Sequence, residues 1–369
     1  MLHSRSKFLH TEARNRILTA IAMLAVVILL ANVEVWFSAY VARILKLGAI
    51  YALSVLSLNL INGCTGLLSL GNAGFMAIGG YTAAILSMEP SVKQAVYFAI
   101  PIKPLLMNLQ IPFPVAVLCG GLLAACAAFL IGIPVLRLKG DYLSMATLGF
   151  SEIIRVLIIN QPSITNGSLG INRIPNFAST WVVFGPLAVV AAFMLLLINS
   201  SYGRAFKAIR EDQIAAEAMG INLFKHKTCS FVISGFLAGV SGAFLASITG
   251  AIEPSTFRYT YVYQFLLMMV LGGQGSVSGS ILGAILVAGA MEWLRFMDEP
   301  INFGILQYPG YPGMRMVLFA VLLIVIVLFW PRGMFGDKEL SWNWLAERLA
   351  KPARYVKARF DRSRKAGAA

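Results

Sequence analysis

The chain has 369 residues, of which 58% are hydrophobic and 12% charged, and its mean hydropathy is +0.77. Soluble domains average roughly 45–50% apolar and about 25% charged residues, so this composition excludes an ordinary soluble protein. A net charge of +14 could indicate a protein that binds nucleic acid, but the basic residues collect in a few connectors and in the tail 348–365. That distribution favours anionic membrane lipid over nucleic acid as a partner.

Apolar runs approaching or exceeding the roughly 20 residues needed to cross a bilayer recur along the chain. We therefore predict an all-α polytopic membrane protein with about ten transmembrane helices. Eight spans is the alternative, because 66–88, 142–160 and 261–271 are the weakest runs. The predicted spans are residues 17–37, 45–62, 66–88, 112–138, 142–160, 181–199, 228–249, 261–271, 280–296 and 314–330.

The basic residues also predict the orientation of the chain. Most of the 30 Lys and Arg residues lie in four segments, which are 1–16, 137–140, 201–227 and the chain from 332 on. Because basic segments stay on the cytoplasmic side, this distribution predicts that both termini are in the cytoplasm (N-in and C-in). The predicted domains are a cytoplasmic N-terminus (1–16), a transmembrane domain (17–336) that includes the cytoplasmic connector 201–227, and a basic tail (337–369). For that tail, an amphipathic helix on the inner membrane surface and a solvated segment both fit.

The connector 201–227, SYGRAFKAIREDQIAAEAMGINLFKHK, is the longest charge-rich stretch between the two ends. Positions that are mostly alanine recur in it at spacings of three and four, which predicts one helix with a small-sided and nearly flat face. Those positions are Ala205, Ala208, Asp212, Ala215 or Ala216, and Met219. Such a face could seat in the groove of a soluble motor protein, and an ordinary solvated helix is the alternative. The residues expected to couple to that partner are Arg210, Glu211, Asp212, Ala215, Ala216, Glu217 and Gly220.

Two predicted spans carry groups that could line a translocation path. The run 66–88 holds five glycines within fifteen residues, which suits either tight helix packing or a broken helix with exposed backbone. In 142–160, Glu152 and Arg155 stand at i, i+3, where they can form a structural ion pair or face a cavity. The candidate path residues are Gly71, Asn72, Gly74, Thr147, Glu152 and Arg155.

Signatures of catalysis and of metal binding are missing from the sequence. The four cysteines are scattered without a C-x-x-C pair, so we expect small buried apolar side chains and neither a disulfide nor a metal site. No histidine–carboxylate or serine–histidine pair can be placed at one depth. The run GGQGSVSG lacks the Lys-Ser/Thr ending of a phosphate-binding loop. We expect no cofactor and no enzyme activity, so any ATP hydrolysis would belong to a partner.

Four stretches follow one another along the chain: GLLSLGNAGFMAIGGYTAAIL, LRLKGDYLSMATLGFSEIIRVLI, SYGRAFKAIREDQIAAEAMGIN and the Gly-rich pattern from Gly272. Together they resemble the LivM-type permeases of branched-chain amino acid ABC importers, over about residues 40–336. The resemblance implies a permease subunit in the bacterial inner membrane that carries Leu, Ile or Val by alternating access. It also implies a second related permease, two cytoplasmic ATPases and a periplasmic binding protein that delivers the ligand.

Urea importers share the fold that this resemblance implies. Gly140-Asp141-Tyr142-Leu143 and Thr147-Leu148-Gly149-Phe150 look like the amino-acid branch, whereas TNGSLG at 165–170 departs from the pattern of many relatives. A permease for urea, short amides or other amino acids therefore stays open. An ion-coupled secondary carrier is a further alternative, with Glu152 as its ion-binding carboxylate.

Overall fold

The computed structural model describes residues 38–98, 100–138, 140–298, 301–303, 306–308 and 313–329, together with single positions outside these ranges. The chain divides into two units, one formed by 1–32 with 338–369 and the other by 33–337. All elements named below lie in the second unit. The predicted N-terminus 1–16 lies outside the described residues. The predicted first span 17–37 and the basic tail 337–369 lie outside them apart from single positions.

The described part of the chain is almost entirely helical. Its α-helices are α1 (Ala39–Asn59), α2 (Asn72–Ser87), α3 (Pro90–Val96), α4 (Pro104–Met107), α5 (Phe113–Val135), α6 (Asp141–Ile159), α7 (Pro162–Thr165), α8 (Thr180–Asn199), α9 (Ser201–Glu211), α10 (Gln213–Ala218), α11 (Leu223–Thr249), α12 (Tyr259–Gly272), α13 (Val277–Trp293) and α14 (Met314–Phe329). A π-helix (Leu60–Cys64) extends α1, and 3₁₀ turns cover Gly167–Leu169, Pro254–Phe257 and Leu294–Met297.

Short antiparallel strand pairs supplement the helices. Strand β1 (Ile171–Asn172) pairs with β2 (Ala251–Ile252), with Ile171 opposite Ile252, and so joins the loop after α7 to the end of α11. Strand β3 (Ile301–Phe303) pairs with β4 (Leu306–Tyr308). Both pairs stand in connections between helices, so they leave the all-α class of the fold unchanged.

Among the described helices, five are long and apolar enough to cross a membrane by length and composition. They are Ala39–Cys64, α5, α6, α8 and α11. Helices α12 and α13 are shorter apolar helices. The predicted class, an all-α polytopic membrane protein, is therefore confirmed.

Capping residues at the helix ends explain several helix boundaries. The Oδ1 atom of Asn222 accepts a hydrogen bond from the Lys225 amide at the start of α11, and the Oγ of Ser276 does the same from the Gly279 amide at the start of α13. Helix α11 ends at Gly250, whose φ of +71° places it in the left-handed region that favours glycine.

Helix α11 is the most buried of the long helices and packs against α1, α2 and α5. The close crossing of α2 and α11 depends on Gly79, because a Cβ atom there would overlap the carbonyl oxygen of Gly239. Helix α8 is the least buried of the five and exposes large apolar side chains such as Val189 and Leu196. An apolar outer surface of this kind suits contact with lipid.

The structure corrects the predicted span 66–88. Helix α2 begins only at Asn72, and residues 66–71 form a non-helical segment that follows the π-helix. Each of the two interpretations of this glycine-rich run therefore applies to one part of it. The backbone before Asn72 is non-helical, as a broken helix requires, and the glycines of α2 itself allow tight helix packing. We refer to residues 66–71 as the broken segment.

Candidate functional site

The connector forms two short helices, α9 and α10, instead of the single helix predicted. Asp212 separates them with an extended backbone (φ −156°, ψ 116°). Its Oδ1 accepts hydrogen bonds from the amides of Ile214 (2.8 Å) and Ala215 (3.1 Å), so Asp212 is the N-cap of α10. The prediction of one continuous flat face is therefore wrong, because a capping aspartate with an extended backbone interrupts the helix in the middle of that face.

The two helices bury one side and expose the other. Ala205, Phe206, Ile209 and Ala216 are buried against the rest of the protein. Ile214 and Met219, in contrast, are 81% and 83% exposed. Glu217 and Ala215 are also exposed, so α10 presents a mixed apolar and acidic surface, which we call the connector tip (Ile214, Ala215, Glu217, Met219). Sequence analysis missed Ile214 because its spacing does not fit the predicted face.

The lysine at the start of α11 holds the connector tip in place. Lys227 is buried, and its Nζ donates a hydrogen bond of 2.8 Å to Oε1 of Gln213, the first residue of α10. Gly220 follows the tip with φ +82° and so ends α10 in a conformation that side chains disfavour. The tip is thus exposed, and Lys227 anchors the helix that carries it at its first residue.

Arg210 points the other way, into the protein. Its Nη1 donates a hydrogen bond of 2.9 Å to the carbonyl oxygen of Gly63 in the π-helix. Its Nε and Nη2 contact Oε1 of the exposed Glu211 at 3.3 and 3.0 Å. Of the seven predicted coupling residues, Arg210 therefore contacts the membrane-spanning part directly, and it does so at a point 147 positions away in sequence.

Three of the six predicted path residues, Gly71, Gly74 and Thr147, lie together where the broken segment and α2 meet α6. The amide of Leu70 donates to Oγ1 of Thr147 at 2.9 Å, and that hydroxyl donates in turn to the carbonyl of Ser144. A Cβ atom added to Gly74 would stand 2.9 Å from Cδ1 of Ile154, so α2 and α6 approach closely there. A Cβ atom added to Gly71 would stand 3.2 Å from the carbonyl oxygen of Thr147, so the backbone of the broken segment also lies close to α6.

Asn72, the first residue of α2, is buried between α1 and α2. Its Oδ1 accepts a hydrogen bond of 3.0 Å from the Ser57 hydroxyl, and its Nδ2 donates to the carbonyl of Ser54 at 3.3 Å. The Ser57 hydroxyl also contacts Ser234 of α11. Buried polar groups require hydrogen-bond partners, and here the partners come from different helices, so the cluster links α1, α2 and α11.

Glu152 and Arg155 form the ion pair that their spacing predicts, with Nε and Oε2 2.7 Å apart. Their side chains are 27% and 22% exposed, which places the pair at the margin of the packed core. The second carboxylate oxygen, Oε1, is buried and has no hydrogen-bond partner among the described residues. Glu152 is therefore only half satisfied by Arg155.

Sequence analysis missed a second polar contact at the C-terminal end of α1. The Asn59 amide nitrogen donates to the carbonyl of Ser276 at 3.0 Å, and its Oδ1 accepts from the Gly275 amide at 2.7 Å. Asn59 is fully buried and so fixes the Gly-rich loop before α13 to the last turn of α1. The asparagines at 59 and 62 within an apolar run are the signal that could have indicated it.

The cysteines only partly match the burial expected of them. Cys64 is buried, Cys119 and Cys229 are half-buried, and Cys126 on α5 is exposed. An exposed position on a helix that faces the surrounding medium is compatible with a small apolar side chain. Within the described residues, no group of three or more His, Cys, Asp or Glu side chains is arranged to hold a metal ion.

Comparison with known proteins places the chain in a family. The family model described as "Branched-chain amino acid transport system / permease component" matches residues 40–327. The high-affinity branched-chain amino acid permease protein LivM of Escherichia coli (strain K12) is 33% identical over 325 residues, covering 79% of this chain and 69% of the relative. The probable LivM of Methanocaldococcus jannaschii is 25% identical over 326 residues, covering 81% and 94%.

A second kind of permease is also similar to part of the chain. LivH of Escherichia coli (strain K12) is 29% identical over 186 residues, covering 49% of this chain and 56% of the relative. No solved structure matches the chain.

The bundle of long apolar helices defines a polytopic α-helical membrane protein. The chain belongs to the family of permease components of branched-chain amino acid transport systems. It is a multi-pass protein of the inner membrane. The family consists of transport subunits, which are not themselves enzymes.

Proposed function

We propose that this chain is the membrane-spanning subunit of an ABC importer that carries Leu, Ile and Val across the inner membrane. The observation that carries the proposal is the family match over residues 40–327, which covers the five helices long and apolar enough to cross a membrane except for Ala39. Similarity to both LivM and LivH supports a paired system, in which this chain assembles with a second, related permease subunit.

The proposed complex includes two cytoplasmic ATPases, and the connector tip is the proposed contact of this chain with an ATPase subunit. It combines exposed apolar side chains, Ile214 and Met219, with an exposed carboxylate, Glu217. Exposed apolar side chains on an anchored helix are typical of an interaction site. Glu211, Asp212, Ala215, Ala216 and Gly220 complete the proposed coupling region, and a periplasmic binding protein would deliver the ligand from the opposite side.

The proposed translocation path runs along the contact of the broken segment and α2 with α6. Gly71, Gly74 and Thr147 lie at that contact, and Glu152 and Arg155 lie further along α6. Asn72 begins α2 beside the contact, with its side chain hydrogen-bonded to α1. The broken segment supports this assignment, because non-helical backbone in a membrane protein is tolerated where protein buries it or where it lines a cavity.

The experiment that tests the proposal is uptake of labelled leucine, valine and urea by cells with and without this protein. Uptake is measured again with the proton gradient collapsed and ATP retained. We expect deletion to abolish leucine and valine uptake, and wild-type uptake to survive the collapse. A defect confined to urea or short amides would reassign the substrate, and uptake abolished by gradient collapse would indicate an ion-coupled carrier.

A further inference from the structure

Arg210 connects the connector to the π-helix at the C-terminal end of α1. The carbonyl groups at the end of a helix have no partners within the helix. Here the carbonyls of Leu60 and Ile61 accept hydrogen bonds from the amides of Thr65 and Leu67, while that of Gly63 accepts from Arg210. The guanidinium thus caps the π-helix from a separate element and places a positive charge at the negative end of its dipole.

Steric contact reinforces this hydrogen bond. Gly66 has φ +72°, and a Cβ atom added there would stand 2.7 Å from Cγ and 3.0 Å from Cα of Arg210. The last turn of α9 is therefore seated directly on the first residue of the broken segment. A displacement of α9 cannot leave this segment unchanged, because closely packed groups transmit strain.

Hydrogen bonds connect the π-helix and its neighbouring residues to two other helices, α6 and α13. Toward α6, the Asn62 Oδ1 accepts from the Ser69 amide at 3.0 Å, and the Leu70 amide donates to Thr147 at 2.9 Å. Toward α13, Asn59 holds the Gly275–Ser276 backbone through hydrogen bonds of 2.7 and 3.0 Å. A π-helix within an α-helix is rare and occurs frequently at functional sites. Arg210 contacts this π-helix at the Gly63 carbonyl.

We infer that Arg210 is a positioning residue that transmits movement of the connector to the π-helix and the broken segment, through its hydrogen bond to the Gly63 carbonyl and its packing on Gly66. The inference rests on the proposed function, and it moves Arg210 from the ATPase contact surface to the interior of the permease. Its neighbour contact with Glu211 contributes little, since that carboxylate is 73% exposed.

The test compares Arg210→Ala with Arg204→Ala in the importer purified through a tag on this chain and reconstituted in liposomes. Arg204 lies on the same helix, is exposed and contacts only its neighbour Ser201 in the hydrogen bonds of the described residues, so it is a matched control. The measured quantities are co-purification of the ATPase subunits, ATP hydrolysis, and leucine transported per ATP hydrolysed.

For Arg210→Ala we expect normal co-purification and sustained hydrolysis, with transport per ATP reduced about tenfold, the scale of a lost charge-assisted hydrogen bond. Arg204→Ala should match the wild type. Arg210→Lys keeps one charged donor and should retain an intermediate ratio, and it supplies the test if the alanine variant does not accumulate. The ratio does not depend on the amount of protein, so a purely structural role would leave it unchanged.

An unchanged ratio in both Arg210 variants would overturn the inference, and so would loss of the ATPase subunits during purification, which would return Arg210 to the contact surface. If wild-type liposomes show no ATP-dependent leucine uptake, the proposed function itself fails. The two failures are therefore distinguishable in one experiment.

Discussion

At the scale of single residues, Lys93 is an unusual buried cation. Its Nζ donates to the carbonyls of Leu106 (2.9 Å) and Leu109 (2.6 Å), and burial lowers the pKa of its ammonium group. Nearby, the Tyr97 hydroxyl donates to the carbonyl of Ile164, and burial raises the pKa of this tyrosine. These two side chains hold α3 against the segments of α4 and α7, so the connection between α2 and α5 is a fixed structure.

Replacing Lys93 by Met should loosen that structure, because two carbonyls lose their donor at a cost of about 1–3 kcal/mol for a buried group. We expect faster hydrogen exchange and proteolysis within residues 104–109. Lys103→Met is the control, since the Lys103 side chain is exposed and its contact with Ser163 uses the backbone amide. Equal protection in the two variants would contradict the assigned role of Lys93.

The Glu152–Arg155 pair offers a choice between a structural and a transport role. If the pair is structural, Arg155→Ala leaves a partly buried carboxylate without its cation and should lower the amount of protein in the membrane. Arg295→Ala breaks a more exposed i, i+3 pair with Glu292 and should leave the amount unchanged. Normal amounts of Arg155→Ala with lost leucine uptake would instead place the pair in the path.

At the scale of helices, the crossing of α2 and α11 depends on the absence of a side chain at Gly79. Gly79→Ala should force the two helices apart, because its Cβ would overlap the Gly239 backbone, and overpacking costs typically 1–3 kcal/mol. The expected result is a lower melting temperature in detergent. Gly185→Ala on α8 is the control, as its Cβ meets no atom within 4 Å. Equal melting temperatures would show that α2 and α11 can separate freely.

A second prediction at the scale of helices concerns the connector tip. Replacing Ile214 and Met219 together by Ala removes exposed side chains and so should leave folding intact. It should weaken co-purification of the ATPase subunits, because exposed apolar anchors supply much of the energy at interfaces. Leu169→Ala, an equally simple truncation of an exposed residue in the loop before β1, should have no such effect. Undiminished co-purification would exclude the tip as the docking site.

At the scale of the whole molecule, the proposed topology of ten spans with N-in and C-in ends places the connector and the loop before β1 on opposite sides of the membrane. A single long helix, α8, separates Leu169 from Met219. In a variant whose four native cysteines are replaced, Met219→Cys should be labelled by an impermeant reagent only from the cytoplasmic side. Leu169→Cys should be labelled only from outside. Labelling of both from one side would show that α8 does not cross.

Much of the architecture was predictable from local patterns. Residues 181–199 read as an uninterrupted apolar run and form α8 with nearly the same bounds, and Gly220 ends the connector helix as its position predicts. The broken segment was harder, because the apolar and glycine-rich sequence 66–71 is compatible with a helix until its neighbours are known. Its conformation is fixed by contacts with Thr147 and Arg210, which lie on other elements.

The sequence by itself determined the membrane class, the approximate helix positions, the charged connector and the family, because hydropathy, run length and motif order are properties of neighbouring residues. Tertiary structure alone decided that Asp212 divides the connector, that Arg210 faces the π-helix, and that Ile214 and Met219 face outward. The physical reason is distance along the chain. Gly63 and Arg210 are 147 positions apart, so folding has to bring them together before their hydrogen bond can exist.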